Sequence, residues 1–356
     1  MKVLIIQQKM IGDVLATSIL FEAIKSKYPD SELHYLINSN TFPVVENHPH
    51  IDVFQFYTPD MESSKLKLWR FAKSLRREHY DTVIDVYSKL SSNLITLLSG
   101  AKTKISVKKS YTSFLYHHTF KNKDKSHTNA GLALENRLQL LKPLSIDTAK
   151  TCKPKIYLKP EEIEKAKQVL DINGIHPNHP IFMIGVLGSD ATKTYPLEYM
   201  AEVIDYIAAN TPESQILFNY IPSQESEARS IFDLCKPETQ SKIFINLYGK
   251  SLRDFLSLTS HCTALIGNEG GATNMAKALN IPTFTIFSPW IKREAWNMFE
   301  DGEKNVSVHL EDYSPEIYKN LKHPKTLKSQ AEALYQSFQP ELFEPKLNMF
   351  LSRINY

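Results

Sequence analysis

Hydrophobic and polar positions along the chain predict strands that are each followed by a helix. Residues 2–6 form a mostly apolar, β-branched run, which is typical of a buried strand. Between Asp13 and Lys27 the apolar residues recur at helical spacing, so a helix follows this strand directly. Further strands are predicted at Leu33–Ile37, Val53–Phe56, Thr82–Val86 and Lys104–Val107, and further helices at Lys65–Arg77, Ser91–Leu98 and Ala130–Leu141.

A second series of the same kind begins after a proline-punctuated stretch around residues 145–160. Strands are predicted at Ile181–Val186, Gln215–Tyr220, Ile243–Leu247, Ala264–Ile266 and Thr283–Ile286. Helices are predicted at Glu161–Asn173, Leu197–Asn210, Glu225–Leu234, Leu252–Thr259 and Thr273–Leu279, with two more in the tail at Thr326–Phe338 and Glu341–Arg353. Alternating strands and helices predict parallel sheets with helices on both faces, and therefore an α/β protein.

The length of 356 residues supports two such domains, because one compact core rarely grows so large. We predict an amino-terminal Rossmann-like domain over residues 1–150 and a carboxy-terminal one over residues 151–340. Residues 341–356 remain as a final helix.

Cysteine content and hydropathy indicate a reduced, cytoplasmic protein. The three cysteines are odd in number and form no C-x-x-C pair, which argues against a disulfide framework or a structural zinc site: Cys152, Cys235 and Cys262. The apolar run at the amino terminus is much shorter than the hydrophobic region of a signal peptide. No stretch approaches the roughly 20 apolar residues that span a bilayer, so any membrane contact should be peripheral.

Charge is concentrated in one segment, although the net charge is only +3. Residues 102–125 contain seven lysines against Asp124 alone, with several aromatic residues between them. Such a segment suits an anionic partner at a membrane surface, but a solvated, mobile loop is an equally good interpretation. No recognised nucleic-acid-binding module is present, so we expect no nucleic acid partner.

The first candidate site is Gly12-Asp13, where the first strand passes into the first helix. Ligands of open α/β sheets bind at the carboxyl ends of strands, which is where this turn falls. A second interpretation is that Asp13 only caps the helix, since Asp is favoured at that position.

The second candidate is the loop after the predicted strand Ile181–Val186. Gly188, Ser189 and Thr192 are small or polar residues that let backbone amides approach a phosphate, and Lys193 adds a positive charge. The spacing is not that of a Walker loop. A surface loop with a solvated lysine remains the alternative.

The third candidate is the turn Glu269-Gly270-Gly271-Ala272, between a strand end and a helix start. The two glycines would expose amides at a helix amino terminus, which is an anion site. Glu269 could then bind sugar or ribose hydroxyls beside the anion. An ordinary strand–helix turn is the alternative, but two such turns in one domain favour a nucleoside diphosphate.

Together, these motifs resemble glycosyltransferase family 9, the lipopolysaccharide heptosyltransferases. The resemblance rests on Gly12-Asp13-Val14-Leu15, Thr192-Lys193-Thr194-Tyr195-Pro196 and Gly267-Asn268-Glu269-Gly270-Gly271, which occur in family order. Tyr248-Gly249-Lys250-Ser251-Leu252 also matches a family loop. The resemblance implies a GT-B fold, in which two Rossmann-like domains face a central cleft and the last helix returns to the first domain.

The resemblance also implies an inverting transfer without a metal or other cofactor, from a nucleoside-diphosphate sugar such as ADP-heptose. Asp13 would be the catalytic base and Lys193 would bind the diphosphate. Glu269 with the amides of Gly270, Gly271 and Ala272 would bind sugar and phosphate. Gln224 and Glu225 are equal candidates for the nucleoside ribose.

The acceptor would be an anionic glycolipid or lipopolysaccharide core at the inner face of the inner membrane. It would contact the amino-terminal domain, for which Gly12, Lys108 and Lys109 are the predicted contacts. We expect a monomer.

Three positions depart from the family pattern, in which the last motif reads Asp-Ser/Thr-Gly with a following His. Glu269, Gly270 and Asn274 stand at those places, and Asn274 cannot titrate near neutral pH as His can. These changes lie on the donor side, so they bear on which sugar is bound.

Two other functions remain open: a GT-B nucleotide-sugar epimerase and a catalytically silent nucleotide-sugar-binding relative. An epimerase needs no separate acceptor, and a silent relative is expected to lose the base, whereas Asp13 is present. A Rossmann dehydrogenase is disfavoured because the first turn lacks G-x-G-x-x-G.

Overall fold

A computed structural model describes residues 1–148, 153–320 and 324–354. The chain forms two compact units, Met1–Tyr157 with Glu294–Met298, and Leu158–Arg293 with Phe299–Tyr356. The predicted boundary between residues 150 and 151 and the side chain of Cys152 lie outside the described residues. The return of Glu294–Met298 to the first unit was not predicted from the sequence.

The first unit contains a six-stranded, fully parallel sheet in the order β3-β2-β1-β4-β5-β6. Its strands are β1 Lys2–Ile6, β2 Glu32–Asn38, β3 Val53–Tyr57, β4 Thr82–Asp85, β5 Thr103–Val107 and β6 His118–Phe120. The order reverses between β1 and β4, which is the point where open α/β sheets bind ligands. The predicted strands are confirmed to within about two residues, and β6 is an additional strand.

Helices cover the faces of this sheet and bury its apolar side chains. They are α1 Ile11–Thr17, α2 Ile19–Lys27, α3 Pro59–Ser63, α4 Lys65–Ser74, α5 Leu90–Leu98 and α6 Leu132–Leu138. The helix predicted from Asp13 to Lys27 is divided at Ser18, whose hydroxyl donates to the Leu15 carbonyl oxygen at 2.8 Å. A serine that bonds to the preceding turn in this way competes with the regular helix.

The second unit contains a five-stranded parallel sheet in the order β11-β10-β9-β7-β8. Its strands are β7 Ile181–Gly185, β8 Gln215–Phe218, β9 Ala264–Asn268, β10 Thr283–Ile286 and β11 Asn305–Val308. The strand predicted at Ile243–Leu247 is wrong in extent, because it forms only one parallel bridge, from Ile243 to Ile216. The chain turns away at once, since the Leu247 amide bonds to the Phe244 carbonyl.

Eleven helices belong to the second half of the described chain. They are α7 Pro160–Ile172, α8 Leu197–Asn210, α9 Glu225–Leu234, α10 Pro237–Gln240, α11 Leu252–Thr259, α12 Gly271–Ala278, α13 Arg293–Trp296, α14 Pro315–Asn320, α15 Pro324–Ser329, α16 Ala331–Gln336 and α17 Glu344–Ile354. None of the helices among the described residues is long and apolar enough to cross a membrane.

The last helix, α17, corrects the expectation that the segment 341–356 packs on the first domain. Its buried Leu347, Phe350 and Leu351 join the core of the second unit, and the rings of Phe350 and Phe284 lie 5.6 Å apart. These three positions form one helical stripe, and α17 contacts α8 of the same unit. Burying that stripe on the second sheet accounts for the position of the helix. Residues 355 and 356 lie outside the described part.

Candidate functional site

The loop between β7 and α8 folds back on itself and places Lys193 near the strand ends. A short 3₁₀ turn covers Ala191–Lys193, and the Asp190 carboxylate accepts hydrogen bonds from the Thr192 amide (3.0 Å) and hydroxyl (2.6 Å). Gly188 is required here, because a Cβ atom at this position would lie 2.4 Å from the Lys193 carbonyl oxygen. The glycine therefore permits the tight turn that a phosphate-binding loop needs.

Asn268, the last residue of β9, fastens this loop to the neighbouring strand. Its side-chain oxygen accepts a hydrogen bond from the Tyr195 amide at 2.8 Å, and its side-chain nitrogen donates to the Gly185 carbonyl at 2.9 Å. Gly267 allows the close approach, since a Cβ atom there would lie 2.4 Å from the Gly185 oxygen. The ends of β7 and β9, where the strand order reverses, are thus held in register.

Lys193 and Glu269 form an ion pair at this point, with 3.4 Å between Nζ and Oε1. The Glu269 side chain is only 8% exposed, whereas that of Lys193 is 27% exposed. Burial raises the pKa of Glu269, and the nearby Lys193 ammonium opposes that shift. The ammonium is therefore the member of the pair that a ligand can reach.

A third strand contributes residues that the sequence analysis did not identify. The Ser288 hydroxyl and the Trp290 indole nitrogen, both after β10, donate to the Thr192 carbonyl oxygen at 2.8 and 2.9 Å. The Nζ atoms of Lys193 and Lys328 lie 5.8 and 4.8 Å from the centre of the Trp290 ring. Two ammonium groups beside one indole make this edge of the sheet attractive to anions.

The amino terminus of α12 lies in the turn that carries Glu269. Gly270 precedes the helix with φ of 155°, and a Cβ atom there would meet nothing within 4 Å. The first amides of a helix, here from Gly271 and Ala272 onward, have no acceptor within the helix, and no acidic side chain occupies this first turn. The arrangement of exposed amides beside Lys193 suits a diphosphate.

The remaining predicted donor residues differ in where they lie. Gln224 donates from its side-chain nitrogen to the Gly188 carbonyl at 3.0 Å, so it reaches the lysine loop. Glu225 instead accepts hydrogen bonds from Arg229, one helical turn away, at 3.1 and 3.2 Å. Ser189 is exposed in the same loop. Of the two ribose candidates, Gln224 is the one joined to the loop.

In the first unit, Gly12 and Asp13 lie in the first turn of α1, directly after β1. Asp13 is not the helix cap, because Met10 occupies that position and makes no side-chain capping bond. The Asp13 carboxylate instead forms an ion pair with Arg137 of α6. The alternative that Asp13 only caps the helix is therefore wrong. Arg137 had no sequence signal, since it lies far along the chain from Asp13.

The lysine-rich segment is partly ordered by contacts within the first unit. Lys102 pairs with Asp81, and Lys123 pairs with the buried Glu135. Lys109 donates to the Ser88 carbonyl oxygen, and burial lowers its pKa, whereas Lys108 is exposed. These anchors contradict a wholly mobile loop.

Among the residues that the structure describes, no three His, Cys, Asp or Glu side chains are grouped so as to hold a metal ion. Cys235 and Cys262 are both buried and unpaired with each other, and burial raises the pKa of each thiol to about 12. Neither is suited to act as a nucleophile.

Comparison with known proteins decides the family. The model of glycosyltransferase family 9 (heptosyltransferase) matches residues 68–323, which is more than half of the chain. The chain belongs to this family. It is 25% identical to lipopolysaccharide heptosyltransferase 1 of Campylobacter coli over 295 residues, covering 81% of this chain and 84% of that one. The family 9 resemblance inferred from the three motifs is confirmed, and the protein is a glycosyltransferase.

Solved structures of family 9 proteins share the fold. A glycosyl transferase family 9 structure from Veillonella parvula superposes with a TM-score of 0.76 at 16% identity, covering 94% of this chain and 97% of that one. The Escherichia coli ADP-heptose lps heptosyltransferase II gives 0.72 at 15% identity, with 99% of each chain covered. The predicted GT-B class of two parallel-sheet domains is confirmed.

The raised pKa of Glu269 leads to a testable prediction about the stability of this family 9 enzyme. A carboxyl whose pKa rises on folding binds its proton more tightly in the native state than in the unfolded chain. At pH values below the pKa that Glu269 has in the unfolded chain, the raised pKa therefore costs no stability. As pH rises from that value to the pKa in the folded protein, the free energy of unfolding falls. Glu269→Gln should raise the thermal transition at neutral pH, by roughly 2 to 4 °C per kcal/mol recovered, and the gain should vanish in acid.

Differential scanning calorimetry over a pH series would measure this effect on the ligand-free enzyme. Glu303→Gln, at an exposed glutamate in the same unit, is the matched control and should leave the transition unchanged. A lower transition temperature for Glu269→Gln at neutral pH would contradict the argument.

Proposed function

We propose that this family 9 enzyme transfers a heptose or related sugar from an ADP-linked donor to a lipopolysaccharide-core acceptor, with inversion and without a metal. The observation that carries the proposal is a contrast between two ion pairs. In Asp13–Arg137 the carboxylate is the exposed partner, at 24% against 9%. In Lys193–Glu269 the ammonium is the exposed partner, at 27% against 8%. One pair therefore offers a base and the other offers a cation.

The cation is what a departing nucleoside diphosphate requires. Negative charge builds on the diphosphate oxygens as the bond to the anomeric carbon breaks, and a positioned positive charge stabilises that transition state. Lys193 and the amides at the start of α12 supply such charge, and the hydrogen bonds to Thr192 hold the loop in place. Because these groups are fixed before the donor binds, little reorganisation is needed during transfer.

The base is what the acceptor hydroxyl requires. Asp13 would accept the hydroxyl proton while the oxygen attacks the anomeric carbon from the face opposite the diphosphate. A single displacement of this kind inverts the configuration. General-base assistance usually accelerates such a step by about 10² to 10⁴-fold.

The identity of donor and acceptor is inferred from relatives. The Campylobacter coli protein is named a lipopolysaccharide heptosyltransferase, and the Escherichia coli structure is named for ADP-heptose and lps. Exposed Lys108 and the exposed aromatic rings of Tyr111 and Phe114 follow β5, and they suit an anionic glycolipid. We place the reaction at the cytoplasmic face of the inner membrane, with peripheral contact, and expect the enzyme to act as a monomer.

Features of the first unit count against both alternatives. An epimerase acts on one nucleotide sugar and needs no separate acceptor, so the exposed Lys108, Tyr111 and Phe114, which suit an acceptor, count against it. A silent relative would not be expected to keep Asp13 held by a buried arginine. The first unit therefore favours transfer.

A transfer assay tests the proposal directly. Purified enzyme with ADP-heptose and a heptose-deficient lipopolysaccharide acceptor should form a glycosylated product, detected by mass spectrometry. Product formation should survive excess chelator, because Lys193 and the α12 amides supply the positive charge. Loss of activity on chelation that magnesium restores would reject metal independence, and absence of transfer from any nucleotide sugar would reject the function.

The second prediction separates the base from the donor site. Asp13→Asn should lower kcat by at least about 10²-fold while ADP affinity, measured by calorimetry, stays within about twofold, since the carboxylate takes the acceptor proton and does not touch the donor. Asp60→Asn, at an exposed aspartate in the same unit, should leave both unchanged. If Asp13→Asn retains more than about a tenth of the wild-type rate, Asp13 is not the base.

A further inference from the structure

The structure around Asp13 indicates a role for Arg137, a residue that no sequence motif identified. Arg137 lies on α6, where its side chain is only 9% exposed. Its guanidinium makes three hydrogen bonds within the first unit: to the Thr17 hydroxyl at 2.9 Å, to the Ala133 carbonyl at 2.8 Å, and to Oδ1 of Asp13. Each of its three nitrogen atoms therefore has its own acceptor.

These acceptors fix the direction of the guanidinium. Thr17 lies one turn beyond Asp13 on the same face of α1, so the planar group spans both residues. Ala133 lies one turn before Arg137 on α6 and holds the third nitrogen. A rigid fork of this kind orients its partners, whereas a lysine offers one point charge on a flexible stem.

An aromatic ring completes the enclosure of the arginine. The Trp296 ring centre lies 5.9 Å from Arg137 Cζ. Trp296 belongs to Glu294–Met298, the segment that joins the first unit although it comes from the second half of the chain. The indole attracts the cation and excludes water, which strengthens the ion pair on the other side.

The two oxygens of the Asp13 carboxylate differ in their contacts. Arg137 occupies Oδ1, and among the residues that the structure describes nothing bonds to Oδ2 of Asp13. With 24% of its side chain exposed, Asp13 can present that oxygen to a ligand. A base needs this combination of fixed direction and open access.

Other titratable groups around Asp13 do not replace the arginine. Tyr35 of β2 and Tyr87 after β4 face the pair, and burial raises the pKa of each, so both stay neutral around pH 7. Lys9 and Glu62 near Tyr87 form an ion pair with each other. On the helices packed against α1, Glu22 pairs with Lys155 and Glu135 with Lys123.

We propose that Arg137 is the positioning residue for the catalytic base: it holds one oxygen of Asp13 and directs the other toward the acceptor hydroxyl. This inference rests on the proposed function of Asp13. Proton transfer itself remains with Asp13.

The test compares the kinetics of transfer by the wild-type enzyme, Arg137→Gln and Arg137→Lys. For Arg137→Gln, kcat should fall by up to about 10²-fold, because a base that is misplaced by even 1 Å loses its alignment with the reacting hydroxyl. ADP affinity and KM for the donor should stay unchanged. Arg137→Lys should restore only part of kcat, because it keeps the charge and loses the fork.

Controls separate positioning from folding. Arg77→Gln, at an exposed arginine of the same unit, should match the wild type. Thr17→Val removes one acceptor of the guanidinium without removing its charge, and should lower kcat while ADP affinity and KM for the donor stay unchanged. An Arg137→Gln enzyme that keeps the wild-type kcat, or that loses ADP affinity in proportion to kcat, would overturn the inference.

A second readout does not depend on activity. Crystal structures of the wild type and Arg137→Gln report the side-chain rotamer of Asp13. Asp13 should adopt one rotamer in the wild type and more than one in Arg137→Gln, and a single unchanged rotamer in Arg137→Gln would overturn the inference. A wild-type enzyme that transfers no sugar would reject the proposed function alone, because the two crystal structures still test the role of Arg137.

Discussion

The ion pair between Lys193 and Glu269 is the interaction on which the proposed donor site depends. It brings together the loop after β7 and the turn after β9, at the point where the strand order of the second sheet reverses. Glu269 is nearly buried there and its pKa is raised, so the folded protein bears a cost to keep it. Such costs are typical of functional sites. In return, Lys193 is held at the sheet edge beside the amides of α12.

The first unit also has an ion pair where its strand order reverses, although the two sheets differ in strand number and order. Its strand order also reverses beside the first strand, and an ion pair again lies at that point. Here the buried charge is the positive one, on Arg137, and the exposed charge is the negative one, on Asp13. In the pair of the second unit the signs are the reverse. In both pairs a buried charge holds its exposed partner in place. The low dielectric constant around the buried group strengthens the attraction, and few orientations of the exposed group satisfy it. The exposed member of the pair is therefore an anion in the first unit and a cation in the second.

Much of the fold could be predicted because alternating apolar strands and amphipathic helices are local patterns. The exceptions have local causes as well: β6 has only three residues, and Ile243 makes a single bridge before the chain turns. The site was predictable where glycines and charges follow strand ends, as at Asp13, Lys193 and Glu269. It was not predictable where partners meet only through tertiary packing, as Arg137 does with Asp13 and Trp290 does with Thr192. Contacts between residues far apart in the chain produce no periodic pattern in a single sequence.

The claim that the exposed ammonium of Lys193 holds the donor diphosphate is tested most directly by calorimetric titration of Lys193→Ala with ADP. Loss of a charge-assisted contact should weaken binding by roughly 1.5 to 3 kcal/mol, which is about 10- to 150-fold in Kd. Lys167→Ala, at an exposed lysine on α7 of the same unit, should bind ADP like the wild type. Equal ADP affinity in Lys193→Ala and the wild-type enzyme would contradict the account, because the ion pair with Glu269 would then be a structural contact without a part in donor binding.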